Sequence, residues 1–155
     1  MSWSPTESDG RAMRSVSIAG FLLMVAAIAG LIYTDNLFSR SPIVIAVQTA
    51  AVALVVWARL TFGRRSFHAA GDPTEGGLVT TGPYRYIRHP IYTAACAFSW
   101  TGILAHGSVP AIAGGVLVTI GALLRMLAEE RLVAARYPEY SQYASRTKRM
   151  VPYVF

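Results

Sequence analysis

The sequence predicts an all-α integral membrane protein with about four transmembrane helices. Apolar residues make up 54% of the 155-residue chain and charged residues only 14%, against about 25% charged in an average soluble protein. A chain of this length cannot enclose so much apolar surface in one aqueous core. The apolar residues also come in long runs, as the interior of a bilayer requires. We therefore expect a single membrane domain over residues 1–155.

Four apolar runs define the predicted spans. The first carries no charge and is long enough, at about 1.5 Å per residue, to cross a hydrocarbon core about 30 Å thick. It is too long for the apolar region of a cleavable signal peptide. The second begins at Pro42, which suits the first turn of a helix. The predicted transmembrane helices cover residues 15–33, 42–62, 91–105 and 109–128.

The last two runs predict a tight helical hairpin. Only His106-Gly107-Ser108 separates them, and small residues such as Gly114, Gly115 and Gly121 allow neighbouring helices to approach closely. The run 91–105 is short for a full span. Outside the runs, residues 1–14 are expected to fray or lie on the membrane surface. The polar insert 63–88 contains too many glycines and prolines for a long helix.

Basic residues orient the chain. In a four-span arrangement, 13 of the 14 basic residues fall on one side of the membrane, and only Arg40 falls on the other. The positive-inside rule makes that side cytoplasmic. We therefore expect a protein of the plasma or inner membrane with both termini in the cytoplasm. The arginines flank the apolar runs and form no stripe, so the expected partner is the lipid bilayer and not nucleic acid. No obligate protein partner is evident.

This topology brings two polar segments to the same cytoplasmic end, residues 84–92 and residues 125–143. Ionisable groups at membrane depth are costly, so they normally face a partner or a cavity. Glu129 and Glu130 point about 100° apart on a helix. We therefore expect one of them to face inward and pair with Arg88 or a ligand cation, while the other caps the helix or faces water.

Several other polar residues have simpler interpretations. Pro90 starts the third helix and restricts His89 to extended backbone. The scattered loop histidines, His68 and His106, do not form a metal site, and no metal is expected. Gln48 either makes a hydrogen bond between helices or lines a substrate path.

The segment from Leu78 to Tyr92, which reads LVTTGPYRYIRHPIY, resembles the signature of the isoprenylcysteine carboxyl methyltransferase family. That family belongs with the membrane phospholipid methyltransferases. Downstream, Glu129-Glu130 resembles the family's paired glutamates. The segment Tyr137-Pro138-Glu139-Tyr140 resembles its aromatic segment, although the family often has Phe-Gly in place of Tyr-Pro. The resemblance covers about residues 76–155, and its specific part is R-H-P-x-Y followed by E-E about forty residues later.

The resemblance implies S-adenosylmethionine as methyl donor, bound by a cofactor-binding catalytic half at residues 76–155, with the acceptor entering from the lipid. It implies a catalytic group of Arg88, Glu130 and Arg136, in which Arg136 orients the methyl-accepting group. The implied cofactor-binding residues are Leu78, Val79, Gly82, Tyr84, His89, Pro90, Tyr92, Glu129 and Glu130.

The expected function is methyl transfer to a lipophilic or amphipathic acceptor, such as an isoprenylcysteine carboxylate, at the cytoplasmic face. A phospholipid amine and a small thiol remain alternative acceptors. Two alternatives belong to other classes: an NADPH-dependent reductase similar to the membrane sterol reductases, and a non-catalytic membrane component. The short chain counts against the reductase, and the intact motifs count against a non-catalytic protein. The sequence has no Gly-x-Gly-x-x-Gly, which excludes a soluble Rossmann methyltransferase.

Overall fold

The computed structural model describes residues 7–63, 77–153 and 155. These residues form five α-helices and one 3-10 turn, and no strand occurs among them, so the all-α prediction is confirmed. Residues 64–76 of the predicted insert, which include Arg64, Arg65 and His68, lie outside the described residues. The elements are α1 (Glu7–Tyr33), α2 (Pro42–Phe62), the 3-10 turn (Gly82–Arg85), α3 (Pro90–His106), α4 (Val109–Arg136) and α5 (Tyr140–Arg146).

The four long helices pack in the order α1, α4, α3, α2, so that α4 and α3 lie in the middle. Successive helices run in opposite directions. Near the start of α1, Met13 Sδ lies 3.6 Å from Arg131 Nη1 of α4. At the opposite end, Ser108 Oγ donates to Asn36 Oδ1 at 3.1 Å. We call the end where α1 and α3 begin and α2 and α4 finish the polar end of the bundle.

Three helices, α1, α2 and α4, are long and apolar enough to cross a membrane. Their outward faces carry exposed large apolar side chains, such as Ile43 and Leu60 on α2, which suits contact with lipid. Helix α3 has 17 residues, or about 25 Å of helix, which is shorter than a typical hydrocarbon core of about 30 Å. The membrane character is therefore confirmed, and the fourth span stays a prediction.

Two helices are longer than predicted. Helix α1 begins at Glu7, so the expectation that residues 1–14 fray or lie on the surface was wrong for residues 7–14. Glu7 and Asp9 stand in its first turn, where negative charge favours the helix dipole. Helix α4 continues past the predicted end at residue 128 to Arg136, because Leu132 is still buried against the bundle.

The predicted tight hairpin between α3 and α4 is confirmed. His106 is the last residue of α3 and not a loop residue, so only two residues connect the helices. Gly107 has φ 64° and its N–H bonds to the Ile103 carbonyl at 2.9 Å, which is a left-handed helix end that glycine favours. Ser108 Oγ then accepts from the Ala111 N–H at 3.2 Å and caps α4.

Gln48 makes the interhelical hydrogen bonds that were one of its two predicted roles. Its side chain is buried on α2, and Nε2 donates to the carbonyls of Leu37, at 2.8 Å, and of Phe98 in α3, at 3.2 Å. Gly102 permits the approach of this connection, because a Cβ there would lie 1.8 Å from the Leu37 oxygen.

Helices α1 and α4 touch through their backbones at Gly20 and Gly121. A Cβ built on Gly20 would lie 2.7 Å from the Gly121 oxygen and 2.9 Å from the Arg125 nitrogen, and a Cβ on Gly121 would lie 2.7 Å from the Gly20 oxygen. Side chains larger than hydrogen therefore cannot occupy this crossing unless the helices separate. Such glycine contacts let membrane helices pack closely by van der Waals attraction.

We predict that Gly20→Ala lowers the free energy of unfolding of the detergent-solubilised protein by about 1–3 kcal/mol, and with it the melting temperature, because the added methyl group overpacks a backbone contact. The matched control is Gly30→Ala on the same helix, where a Cβ meets nothing within 4 Å. Thermal unfolding followed by circular dichroism measures both variants. Equal melting temperatures for the two would contradict the proposed backbone contact.

Candidate active site

The motif segment that precedes α3 is seated against the end of α2. Gly82 begins the 3-10 turn with φ 56°, and a Cβ there would lie 2.4 Å from Thr61 Oγ1. Both the backbone conformation and the space therefore require glycine. The Tyr84 ring packs on the Phe62 ring with centroids 5.4 Å apart. The turn thus carries the motif to the polar end of the bundle.

The carboxy-terminal segment 147–150 runs beside the motif and pairs with its backbone. The Arg88 N–H donates to the Lys148 carbonyl at 2.8 Å, and the His89 N–H donates to the Arg149 carbonyl at 2.9 Å. Ile87 and Lys148 form an isolated parallel bridge. The carboxy-terminal segment 147–150, called the tail below, therefore holds the residues that precede α3 in place by backbone hydrogen bonds.

His89 is not extended as predicted, because its φ and ψ are −126° and 57°. Its N–H is bound to the tail, and its carbonyl accepts the Thr93 N–H at 3.0 Å as the first hydrogen bond of α3. These two contacts hold His89 between the tail and the helix, and together they override the preference set by Pro90. Pro90 itself starts α3 as predicted.

Glu130 of α4 is the centre of an ion cluster. Its Oε1 accepts from Arg88 Nε at 2.9 Å and lies 3.2 Å from His89 Nε2, while its Oε2 accepts from Arg149 Nε at 3.0 Å. The Arg88 guanidinium also donates to the carbonyls of Ala144 and Thr147. The side chains of Glu130 and Arg88 are only 11% and 10% exposed. Glu130 therefore faces inward and pairs with Arg88, as predicted.

Glu129 also faces the site, so the expectation that the second glutamate caps the helix or faces water was wrong. Its Oε1 accepts from the Tyr92 hydroxyl at 2.7 Å and forms an ion pair with Arg125, with Nε 2.9 Å away. Arg125 Nε is also 2.6 Å from the Tyr92 oxygen. The two carboxylates can both turn inward because α3 offers His89 and Tyr92 on adjacent positions of one face, with rings 5.7 Å apart.

Arg149 and Arg125 contact these glutamates but were not among the predicted site residues, and only Arg125 is buried. Arg125 is 7% exposed, and it precedes Glu129 by one helical turn, the spacing at which opposite charges pair on a helix. That spacing was the available signal. An arginine near the end of a membrane helix is, however, equally typical of a residue that reaches for headgroups.

A tyrosine pair ties α5 to the motif. The Tyr143 hydroxyl donates to the Tyr84 carbonyl at 2.7 Å. Burial raises the pKa of Tyr143 to about 12, and burial also raises the pKa of Tyr84 above its ordinary value. Both hydroxyls therefore keep their protons at neutral pH, and Tyr143 remains a hydrogen-bond donor.

The remaining predicted residues lie farther out. Leu78 and Val79 line an open cavity of about 490 Å³ beside the end of α2, together with Thr61, Phe62, Gly63, Thr80 and Thr81. Arg136 is the last residue of α4, with an exposed side chain. It stands about 9 Å along the helix from Glu130. The structure thus gathers five predicted residues in one cluster, namely Arg88, His89, Tyr92, Glu129 and Glu130.

We predict that Glu130→Gln lowers the free energy of unfolding by about 3 kcal/mol, because it leaves the largely buried Arg88 guanidinium without its carboxylate. Thermal unfolding in detergent tests this, with Glu139→Gln as control because Glu139 is exposed at the start of α5. An unchanged melting temperature in Glu130→Gln would show that the cluster does not stabilise the fold.

Two curated proteins show partial similarity to the chain. The nickel-cobalt-cadmium resistance protein of Alcaligenes xylosoxydans xylosoxydans is 33% identical over 85 residues, which cover 48% of this chain and 36% of that protein. The cobalt-zinc-cadmium resistance protein of Cupriavidus metallidurans is 34% identical over 80 residues, which cover 48% of this chain and 35% of that protein. The chain therefore spans about a third of the length of these relatives. No solved structure matches the chain.

A family match covers more of the chain than either relative. The sequence profile described as phospholipid methyltransferase matches residues 40–140. This range contains α2, α3 and α4 together with the whole motif segment, Glu129 and Glu130. The chain is a member of the phospholipid methyltransferase family.

Proposed function

We propose that this protein is an S-adenosylmethionine-dependent methyltransferase that acts on a lipophilic or amphipathic acceptor at the cytoplasmic face of the membrane. The observation that carries the proposal is the meeting of two motifs at the polar end. The R-H-P-x-Y segment supplies His89 and Tyr92, and α4 supplies Glu129 and Glu130 within hydrogen-bond distance of them. Membership of a methyltransferase family supports the same conclusion.

The charges of the sequence support a cytoplasmic site. Arg85 and Arg88 precede α3, and Arg131 and Arg136 lie near the end of α4. Basic residues concentrate on the cytoplasmic side of membrane proteins, so the polar end of the bundle is assigned to that side. An exposed basic surface there also attracts anionic lipid headgroups and amphipathic acceptors.

The residues present suit S-adenosylmethionine. The cofactor carries a sulfonium, an amino group and a carboxylate. Aromatic faces favour a sulfonium by about 0.5–2 kcal/mol, and Tyr84 and Tyr92 supply them. Glu129 is a carboxylate that keeps 19% of its side chain exposed, so it suits a cationic group of the cofactor. Leu78 and Val79 border the cavity at the end of α2 and suit the apolar parts of the adenosyl group.

The two glutamates have different contacts and therefore different proposed roles. Glu130 is already bound by Arg88, His89 and Arg149, which satisfies both of its oxygens. We assign it the support of the pocket. The described protein contacts of Glu129 fall on Oε1, and we assign to Glu129 the contact with the cofactor.

The chemistry requires positioning more than reactive side chains. When bound, S-adenosylmethionine would supply an electrophilic methyl carbon: as the acceptor atom bonds to that carbon in line, the carbon–sulfur bond would break and the neutral thioether would leave. The residues of the site then orient the acceptor and keep water away, as an oriented and poorly hydrated pocket does in other group transfers. A covalent intermediate on the protein is not needed.

We predict saturable binding of S-adenosylmethionine, and no saturable binding of NADPH, when the detergent-solubilised full chain is titrated in a calorimeter. His89→Ala and Glu129→Gln are expected to weaken that binding at least tenfold, because each removes a side chain of the pocket. Glu139→Gln serves as the matched control and is expected to bind like the wild type. Saturable binding of NADPH alone, or full affinity in both pocket variants, would refute the proposal.

The acceptor is assigned through Arg136. Its exposed guanidinium at the end of α4 can hold a carboxylate by two parallel hydrogen bonds, so we propose an isoprenylcysteine-like carboxylate as the acceptor. A phospholipid amine is the second candidate, since the family is described by phospholipid methylation. A small thiol is the third.

We predict that the methyl group transferred from labelled S-adenosylmethionine to a prenylated cysteine is released as methanol by dilute base, because it forms an ester. The methyl label on the nitrogen of a methylated phosphatidylethanolamine, or on the sulfur of a methylated thiol, is not released by the same treatment. Arg136→Met is expected to raise the KM for the prenylated cysteine at least fivefold with little change in kcat. Label that enters only base-stable products would exclude the carboxylate and leave the amine or the thiol.

A further inference from the structure

One buried arginine of α4, Arg125, belongs neither to the R-H-P-x-Y segment nor to the glutamate pair, and the proposed function gives it no role. Arg125 lies in the second half of a helix that is long and apolar enough to cross a membrane, and only 7% of it is exposed. A buried charge in such a helix is expensive, and where it occurs it usually serves a site. We infer that Arg125 is a positioning residue of the cofactor pocket and that α1 holds it in place.

The hydrogen bonds of Arg125 fix the direction of the Tyr92 hydroxyl. An arginine has only donors, so the contact of 2.6 Å between Arg125 Nε and the Tyr92 oxygen occupies an acceptor position of the hydroxyl. The hydroxyl proton must then point to Glu129 Oε1, 2.7 Å away. The Tyr92 ring and the Glu129 carboxylate are held as one rigid unit, and these are the two groups that the proposed function assigns to the cofactor.

Helix α1 supports this unit from behind. The Phe21 ring lies under the Arg125 guanidinium, with 4.9 Å between the guanidinium carbon and the ring centroid, a favourable contact for a poorly hydrated cation. The backbones are close at the same level, because a Cβ on Gly20 would lie 2.9 Å from the Arg125 nitrogen. The guanidinium therefore stands between Phe21 on one side and Tyr92 with Glu129 on the other.

This arrangement gives α1 a part in the pocket. Helix α1 (Glu7–Tyr33) lies outside the range 40–140 that matches the family. It contacts the site at Arg125, whose guanidinium stands over the Phe21 ring. The inference rests on the proposed function, since it concerns the binding of S-adenosylmethionine, and it adds a residue and a helix to the pocket.

A double-mutant cycle on cofactor affinity tests the inference. The variants are Arg125→Lys, Tyr92→Phe and the two together, titrated with S-adenosylmethionine in detergent. Lysine keeps the positive charge beside Glu129 but lacks the fixed Nε–H of the planar guanidinium that donates to the Tyr92 oxygen. We expect each single change to weaken binding about tenfold, and the double variant to be within about twofold of the weaker single variant, because both changes break the same unit.

Independent effects would appear as a loss of about a hundredfold in the double variant, and that result would overturn the inference. Wild-type affinity in Arg125→Lys would overturn it as well. The control is Arg131→Lys, an exposed arginine on the same helix, which is expected to bind as the wild type does. A wild-type protein that does not bind S-adenosylmethionine would refute the proposed function itself, and this inference with it.

Phe21→Leu provides a second route that leaves Arg125 intact. It removes the aromatic face under the guanidinium and is expected to weaken binding three- to fivefold in the wild-type background and by less than twofold in Tyr92→Phe. A merely structural role of Phe21 would weaken binding equally in both backgrounds, and that equality would contradict the proposed support by α1. Melting temperatures measured alongside confirm that each variant is folded.

Discussion

The polar end of the bundle depends on one carboxylate that joins three parts of the chain. Glu130 belongs to α4, Arg88 and His89 to the motif that precedes α3, and Arg149 to the carboxy-terminal segment. The Arg88 side chain is only 10% exposed and needs a partner there, and one carboxylate meets Arg88, His89 and Arg149 only if all three segments converge. The ion pairs of Glu130 therefore fix where the motif, the tail and the end of α4 lie relative to one another.

The two adjacent glutamates use the geometry of a helix to divide the site. Side chains one residue apart point about 100° away from each other, so Glu130 meets the motif and the tail while Glu129 meets Tyr92 and Arg125. One carboxylate is fully enclosed by donors and the other retains solvent contact. A pair of identical residues can thus serve support and recognition without competing for the same partners.

Much of this arrangement could be predicted from the sequence, because it follows from local rules. The long apolar runs give α1, α2 and α4, prolines mark the starts of α2 and α3, and the short connection requires the hairpin. The predicted four-helix topology places the motif and the paired glutamates at the same end of the bundle. The sequence did not indicate the pairing of the tail with the motif, because a bridge between Ile87 and Lys148 has no periodic pattern. It also did not distinguish Arg125 from an arginine that reaches for headgroups.

The backbone contact between Gly20 and Gly121 bears on how the protein is assembled in the membrane. Helix α1 is the first of the long helices to be synthesised and α4 is the last, yet they pack most closely against each other. While α2 and α3 are being made, the glycine face of α1 must remain in the lipid without its partner. The contacts between α1 and α4, including that of the Phe21 ring with Arg125, can therefore form only after α4 has been synthesised.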